Sequence, residues 1–172
     1  MIYSSGSSVT TLSTDILAKD LTLCEEWNLS IDLKVPSRSM AKWRKIFSVQ
    51  VNETTHLKGD SSMPSVWIRP DQSNIMLMIA YNIKTSQSFK YNITKKVNAG
   101  NWVNLQINQM SGVYEIKVDY ELVYSKTMSV PKTWKSVNLV TGDINGKANI
   151  STVVHYRNFK IDTCKRRGKS QK

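Results

Sequence analysis

At 172 residues and 40% hydrophobic content, the chain is long enough for one domain with a sizeable core, and disorder along its whole length is excluded. Its longest apolar run, Ile75–Tyr81, is far shorter than the roughly 18 residues that a membrane-spanning helix needs, so membrane insertion is not expected. The formal net charge of +11 favours an anionic partner, although a basic surface that only aids solubility is an equally good explanation.

In chain order, the first periodic segment is 14–19, the one short stretch for which a helix is predicted. The later segments alternate or run apolar over short stretches between turn-forming residues, as β-strands do. Trp27–Val35 is the clearest, because each odd-numbered residue is apolar and each even-numbered residue is polar. Strands are predicted over 27–35, 46–51, 65–69, 75–81, 89–94, 137–141 and 150–161, with three more in 101–126. This series of short strands predicts an all-β sandwich or barrel.

Residues 101–126 have the pattern of a three-stranded meander. Turns are predicted at Ser111–Gly112 and near Asp119–Tyr120, between three alternating segments. Leu122 and Tyr124 are two positions apart in the third segment, so they are expected to share its apolar face.

The two cysteines, Cys24 and Cys164, stand at the two ends of the strand-patterned region. If the terminal strands are neighbours, a disulfide would join them and indicate an oxidising compartment; two free buried thiols are the alternative. We expect residues 1–9 to be a flexible N-terminus, 10–164 to be the domain, and the basic segment 165–172 to be a disordered tail.

Four stretches of the sequence combine an apolar strand with a tryptophan or a hairpin. They follow one another along the chain in the same order as the corresponding motifs of a known family. They are Glu26–Leu33, Trp43 with Ile46–Val49, Asn101–Ile107 and Gly112–Asp119. Together they resemble the laminin G-like members of the concanavalin A-like jelly rolls. The resemblance implies an antiparallel β-sandwich of two sheets, with Trp102 packed in the core or at a sheet edge. Tyr120 departs from the family, which usually has Gly or Asn there, so a longer or different turn is expected.

The resemblance implies an extracellular recognition or adhesion module without enzymatic activity, whose partner is a protein or a sulfated glycan. Two alternatives stay open. A lectin that binds neutral sugars would need exposed aromatic side chains such as Trp67 or Trp134. A structural module of a larger receptor or matrix protein would space or dimerise that protein, and a homo-oligomer fits this alternative. Nucleic acid is not expected as a partner, because the aromatic surface patterns of RNA-binding modules are missing.

The acidic residues and histidines do not form a recognisable catalytic pattern along the sequence. Glu115, Asp119 and Glu121 are the nearest approach to paired carboxylates, but Glu115 and Asp119 are too far apart along the strand and Asp119 begins a turn. His56 and His155 have no neighbours at zinc-ligand spacing. We therefore expect no enzymatic activity and no cofactor.

Calcium is a weaker expectation that comes from the resemblance, since laminin G-like domains often hold one calcium ion at a loop rim. The loop acids Asp60, Asp71 and Asp143 are candidates, because calcium prefers oxygen ligands. Turn-forming aspartates that bond their own backbone are the alternative.

The densest basic group surrounds Trp43 and consists of Arg38, Lys42, Arg44 and Lys45. These cations are candidates for binding sulfate or phosphate groups, in a salt-dependent manner. The alternative is that Trp43 packs in the core and the cations only solvate a loop.

Four N-glycosylation sequons begin at Asn28, Asn52, Asn92 and Asn149. With the cysteines, they favour an extracellular or cell-surface setting, as a fragment of a larger or signal-processed protein.

Overall fold

A computed structural model describes residues 2–4, 6–11, 15–34, 44–51, 62–69, 76–81, 89–92, 100–127, 134–141 and 154–163. Across these ranges the chain forms two antiparallel β-sheets packed face to face and has no helix. The predicted fold class, an all-β jelly-roll sandwich of two sheets, is confirmed.

Thirteen strands are found within the described ranges. In chain order they are β1 (Ile2–Ser4), β2 (Thr10–Thr11), β3 (Asp15–Leu23), β4 (Trp27–Lys34), β5 (Arg44–Val51), β6 (Ser62–Arg69), β7 (Met76–Tyr81), β8 (Phe89–Asn92), β9 (Trp102–Met110), β10 (Val113–Val118), β11 (Glu121–Thr127), β12 (Trp134–Thr141) and β13 (His155–Asp162).

The first sheet, with seven strands, has the order β1-β13-β4-β9-β10-β11, and β2 also pairs with β13. The second, with six strands, has the order β3-β12-β5-β6-β7-β8. Segment 1–9, for which the sequence predicts flexibility, thus contributes β1 to the seven-stranded sheet. No helix long and apolar enough to cross a membrane was found in the described ranges.

The predicted short helix at 14–19 is wrong, because Asp15–Leu23 is the edge strand β3. Its pairing with β12 is irregular, with three register shifts, and Asp20 has a positive φ of 53°. The backbone N–H of Asp20 donates to Asn138 Oδ1 on β12 at 3.1 Å. Tertiary pairing of this kind overrides a weak local helical pattern of only six residues.

The core lies between the inner faces of the two sheets, where strict alternation sends every second side chain. In β4 and β10 the exposure pattern alternates between buried and intermediate along the whole strand. Two edge-to-face aromatic pairs lie in this layer: Trp27 with Tyr114, at 6.1 Å between centroids, and Phe47 with Phe159, at 6.3 Å. The second pair joins the two sheets, since Phe47 is on β5 and Phe159 is on β13.

The two hairpins of the meander have two-residue loops. Met110 pairs with Val113 around Ser111–Gly112, and Val118 pairs with Glu121 around Asp119–Tyr120. All four loop residues have positive φ, as type I′ turns require. The expectation of a longer or different turn at Tyr120 is therefore wrong: the loop has two residues, and Tyr120 itself adopts a φ of 68°, in a conformation that suits glycine.

Because that conformation costs an L-residue about 1–2 kcal/mol, we expect Tyr120→Gly to stabilise the fold by about 1 kcal/mol after the added chain entropy of glycine is subtracted. Tyr120 is 76% exposed, so little packing is lost with the ring. Urea unfolding of the two proteins would measure the difference. A Tyr120→Ala variant, which keeps the strained φ, should gain nothing, and equal gains in both variants would contradict this explanation.

A β-bulge changes the face on which Leu122 lies. Ile116 pairs with Tyr124 but Lys117 pairs with Leu122, so Val123 is the extra residue. Tyr124 stays partly buried against the core, whereas Leu122 shares the outer face with Lys117 and is 51% exposed. The prediction that Leu122 and Tyr124 share one face is therefore wrong.

The end of β13 meets the connection between β3 and β4 at Cys24, so the three strands β1 to β3 precede this cysteine. Its backbone N–H donates to the carbonyl of Thr163 at 2.9 Å, and Cys24 is disulfide-bonded. Cys164 and the tail 165–172 lie outside the described residues, so the pairing of Cys24 with Cys164 stays a prediction.

Candidate functional site

The outer face of the six-stranded sheet has a polar and aromatic cluster at its centre. Its members lie on the neighbouring strands β5 and β6 and are Lys45, Ser48, Gln50, Ser65 and Trp67; we call them the Trp67 cluster. The register pairs Lys45 with Trp67 and Ser48 with Ser65, so the side chains of each pair are adjacent.

A β-bulge at Ile46 places Lys45 on this face. Lys45 pairs with Trp67 but Phe47 pairs with Val66, so Ile46 is an extra residue on β5. Both Ile46 and Phe47 are then buried in the core, and Lys45 faces outward instead of sharing the inner face with Phe47. The sequence signal is the adjacent apolar pair Ile46–Phe47, which breaks the alternation of the strand.

In the Trp67 cluster, the larger side chains of Trp67 and Gln50 are hydrogen-bonded to the small side chains of two serines. Trp67 Nε1 donates to Ser65 Oγ at 2.9 Å, and Gln50 Nε2 donates to Ser48 Oγ at 3.0 Å. Ser48 and Ser65 are accordingly 0% and 1% exposed although they face away from the core. The indole ring is thus held in one orientation on the sheet by its own N–H group.

Lys45 brings a positive charge to the ring. Its Nζ lies over the indole, 4.7 Å from the ring centroid, and the residue is only 9% exposed. A cation in this position is attracted by the ring, by roughly 0.5–2 kcal/mol. Together, Lys45 and Trp67 place an ammonium group on the face of an aromatic ring, so one ligand can contact the ammonium with an anionic group and the uncovered part of the indole with a sugar ring.

A second cluster lies on the outer face of the seven-stranded sheet and is centred on Asp32 of β4. Asp32 Oδ1 accepts from Asn104 Nδ2 at 2.7 Å, and Oδ2 accepts from Asn158 Nδ2 at 2.7 Å and from Arg157 Nε at 3.4 Å. The Arg157 guanidinium lies over the Trp102 ring, 4.2 Å from its centroid. We call these five residues the Asp32 cluster; it joins β13, β4 and β9.

Trp102 does not pack in the core, which was one of the two positions expected for it. Val103, Leu105 and Ile107 take the inner face of β9, so Trp102 must lie on the outer face. It is half-buried there under Arg157, at the start of β9 and beyond Leu105, the last β9 residue that pairs with β10.

The structure describes only part of the predicted basic group. Lys45 is in the Trp67 cluster, and Arg44 begins β5 opposite Ile68. Arg38, Lys42 and Trp43 lie outside the described residues, so a basic site built from Arg38, Lys42, Arg44 and Lys45 stays a prediction. The contact of Lys45 with Trp67 was missed because it depends on the β5–β6 register and on the bulge.

The other predicted positions are only partly described. The calcium candidates Asp60, Asp71 and Asp143 lie outside the described residues, and within the ranges that are described no group of three or more His, Cys, Asp or Glu side chains could hold a metal ion. Of the sequons, Asn28 is half-buried on the outer face of β4 and Asn92 ends β8, while Asn52 and Asn149 are not described.

The acidic residues that were considered for catalysis have structural partners. Glu115 Oε2 lies 3.6 Å from Lys117 Nζ on the same strand, and Asp119 Oδ1 accepts from the backbone N–H of Asn104 at 2.9 Å. His155 is half-buried on the outer face of β13, opposite Lys34, and His56 is not described.

The two sheets, their strand order and the packed inner faces define a concanavalin A-like jelly-roll sandwich, a fold that solved structures share. A glucuronan lyase from the fungus Trichoderma reesei is similar with a TM-score of 0.60 and 13% identity, over 95% of this chain and 88% of the lyase. An alginate lyase from Pseudomonas aeruginosa is similar with a TM-score of 0.58 and 8% identity, over 81% of this chain and 65% of the lyase.

The ligand-binding domain of botulinum neurotoxin serotype D, solved with N-acetylneuraminic acid, is similar with a TM-score of 0.59 and 11% identity. The match covers 96% of this chain but only 39% of the toxin domain, so the chain spans about two fifths of that structure. No family model matches the sequence, and no curated protein matches it. At these identities the likeness establishes the fold.

Two functional predictions are corrected by these neighbours. The sequence led us to expect a non-enzymatic recognition or adhesion module and to exclude enzymatic activity. Several similar structures are polysaccharide lyases, so the fold belongs to enzymes as well as to binding domains. The missing hydrolase pattern excluded only one reaction, because a lyase does not use a hydrolase's pair of carboxylates.

Proposed function

We propose that this protein acts on an acidic, carboxylate-bearing polysaccharide, as a polysaccharide lyase, and that the Trp67 cluster contacts the sugar chain. The observation that carries the proposal is the pairing of Lys45 Nζ with the Trp67 ring at 4.7 Å on an outer sheet face. The net charge of +11 supports it, because a basic protein attracts a polyanion over long distances.

The ligands of the similar structures have one chemical property in common. Alginate and glucuronan are polymers of uronic acids, and N-acetylneuraminic acid is also a carboxylated sugar. Such a ligand needs an apolar surface for the faces of its sugar rings and a cation for each carboxylate. Trp67 and Lys45 supply these two groups, with the Lys45 ammonium over the indole ring.

In a β-elimination, a base removes the proton on the carbon next to the carboxylate, and the electron pair left behind forms a double bond to the neighbouring ring carbon. The glycosidic C–O bond on that carbon breaks, and the leaving oxygen takes up a proton. Negative charge develops on the carboxylate as the proton leaves, so a fixed cation there lowers the barrier. Lys45 fits this stabilising role because its ammonium group is largely sheltered from water and lies over the indole ring. Gln50 adds an amide that can bond to sugar hydroxyl groups.

We expect Lys45→Met to weaken binding of a short oligouronate by about 10-fold or more, because a charge-assisted hydrogen bond is worth about 1.5–3 kcal/mol. Methionine keeps the length of the apolar stem, so the fold should be preserved. Binding would be measured by calorimetric titration with alginate and glucuronan oligosaccharides. Turnover would be measured from the ultraviolet absorbance of the unsaturated product.

The matched control is Lys19→Met, which removes the same charge from an exposed position on β3 of the same sheet. It should bind the oligouronates almost as the wild type does. If Lys45→Met and Lys19→Met behave alike, the bound sugar does not contact Lys45 and the assignment of the site is wrong. If no oligouronate binds the wild type and no unsaturated product forms, the proposed function is wrong.

The proposal extends to the relationship of this chain within its fold and to its cellular setting. Within the concanavalin A-like sandwiches, the order of the tryptophan and hairpin motifs supports a laminin G-like relationship. An extracellular setting is supported by the disulfide-bonded Cys24 and suits a protein that acts on a polysaccharide.

A further inference from the structure

We infer that the hairpin tip at Tyr120, together with Trp102, forms a second contact site for the acidic polysaccharide, on the sheet opposite the Trp67 cluster. This inference rests on the proposed function for the identity of the ligand. It rests on separate observations for the site itself.

The first observation is that an exposed aromatic side chain is kept in a strained conformation. Tyr120 has a φ of 68°, which suits glycine or asparagine, and it is 76% exposed. Packing therefore does little to offset the strain. A bulky residue that persists in such a conformation is commonly found where a ligand is bound.

The second observation is that the tip is held in place. The backbone N–H of Asp119 donates to the carbonyl of Asn104 at 2.8 Å, and Asp119 Oδ1 accepts from the N–H of Asn104 at 2.9 Å. These two bonds fix the β10–β11 hairpin against the beginning of β9, two residues from Trp102. A side chain on a fixed tip loses little backbone freedom when it binds a ligand.

The third observation is the chemistry of the neighbouring face. The register places Lys34 directly opposite Trp102, and the Arg157 guanidinium lies over the Trp102 ring at 4.2 Å. Asp32 holds Arg157 Nε at 3.4 Å, which orients the guanidinium plane. This end of the seven-stranded sheet thus offers aromatic groups and two cations, the same combination as Lys45 with Trp67.

The two sites face opposite sides of the sandwich, so each would bind its own stretch of polymer. One polymer chain that reached both sites would be held more tightly than by either site alone. A short oligouronate cannot span the sandwich, so it separates the sites and reports each one by stoichiometry.

The test is calorimetric titration of the wild type, Tyr120→Gly and Tyr120→Ala with a short oligouronate, with thermal unfolding of the same samples. We expect the wild type to bind two oligosaccharides per chain. Both variants should lose most of the affinity at one site, by several-fold or more, while Tyr120→Gly has a higher melting temperature than the wild type. A loss of binding in a stabilised protein cannot be explained by damage to the fold.

Lys45→Met distinguishes this inference from the proposed function. If it removes one site and Tyr120→Gly removes the other, both are supported. If the wild type binds a single oligosaccharide, lost in Lys45→Met and unchanged in Tyr120→Gly, the second site is refuted and the proposed function stands. If the wild type binds no oligouronate, both are refuted.

Discussion

Phe159→Ala is expected to destabilise the fold by about 3–5 kcal/mol, the usual cost of removing a fully buried phenylalanine. Phe159 is 0% exposed, and its ring packs edge to face on Phe47 of the other sheet, with centroids 6.3 Å apart. Alanine would leave a cavity in the layer that holds the two sheets together. Such a loss is a large part of the stability of a domain of this size, so urea unfolding would show it clearly.

The control for this substitution is Phe159→Leu, which keeps most of the side-chain volume but loses the aromatic contact. We expect it to cost clearly less than alanine, on the order of 1–2 kcal/mol. If Phe159→Ala and Phe159→Leu lower the free energy of unfolding by the same small amount, the two sheets must move together to fill the cavity. Phe159 would then not be a principal contact between them.

Alternation was sufficient to predict most of the strands. In β4 and in the middle of β9, from Val103 to Ile107, the apolar residues occur at every second position, and the structure buries those residues and leaves the ones between them partly exposed. The Ser111–Gly112 turn could be predicted for the same local reason, because a glycine in a two-residue loop satisfies the positive φ of a type I′ turn. A period of two and a turn are local properties of the chain.

The features that could not be predicted depend on which strands pair and in what register. The bulge at Val123 moves Leu122 to the outer face, and the bulge at Ile46 does the same for Lys45. Each bulge shifts the alternation by one residue, and a one-residue shift turns every later side chain to the opposite face. The sequence alone does not locate such shifts with respect to a partner strand.

The candidate sites also depend on strand pairing and register. Lys45 was recognised as part of a basic segment, but its neighbour Trp67 comes from β6, and the two are brought together only by the β5–β6 register. Trp67 itself was considered as an exposed aromatic for sugar binding, without its cation. Function was harder to predict than fold because one sandwich supports both lyases and binding domains, so the site has to be argued from its own side chains.

Asp32→Ala is expected to cost about 2–3 kcal/mol, more than any other single substitution on the outer faces considered above. The Asp32 carboxylate, 15% exposed, accepts from Asn104 Nδ2 and Asn158 Nδ2 at 2.7 Å each and from Arg157 Nε at 3.4 Å. Alanine would leave the partly buried Asn104 Nδ2 on β9 without its acceptor, and an unsatisfied, partly buried donor costs about 1–3 kcal/mol. The exposed Asn158 amide would bond to water instead, so its loss adds less. The ion pair contributes less, since Arg157 is 37% exposed.

Asp162→Ala is the matched control, since Asp162 is also a half-buried aspartate, paired with Asn28 across β13 and β4. A substitution that breaks no hydrogen-bond network is expected to change the free energy of unfolding by only about 0.5 kcal/mol. Asp32→Asn should lie between the two, because the amide keeps one acceptor oxygen but presents its own N–H groups to other donors. If Asp32→Ala is no more destabilising than Asp162→Ala in urea unfolding, the network contributes no stability, and its role would be to orient Arg157 over Trp102.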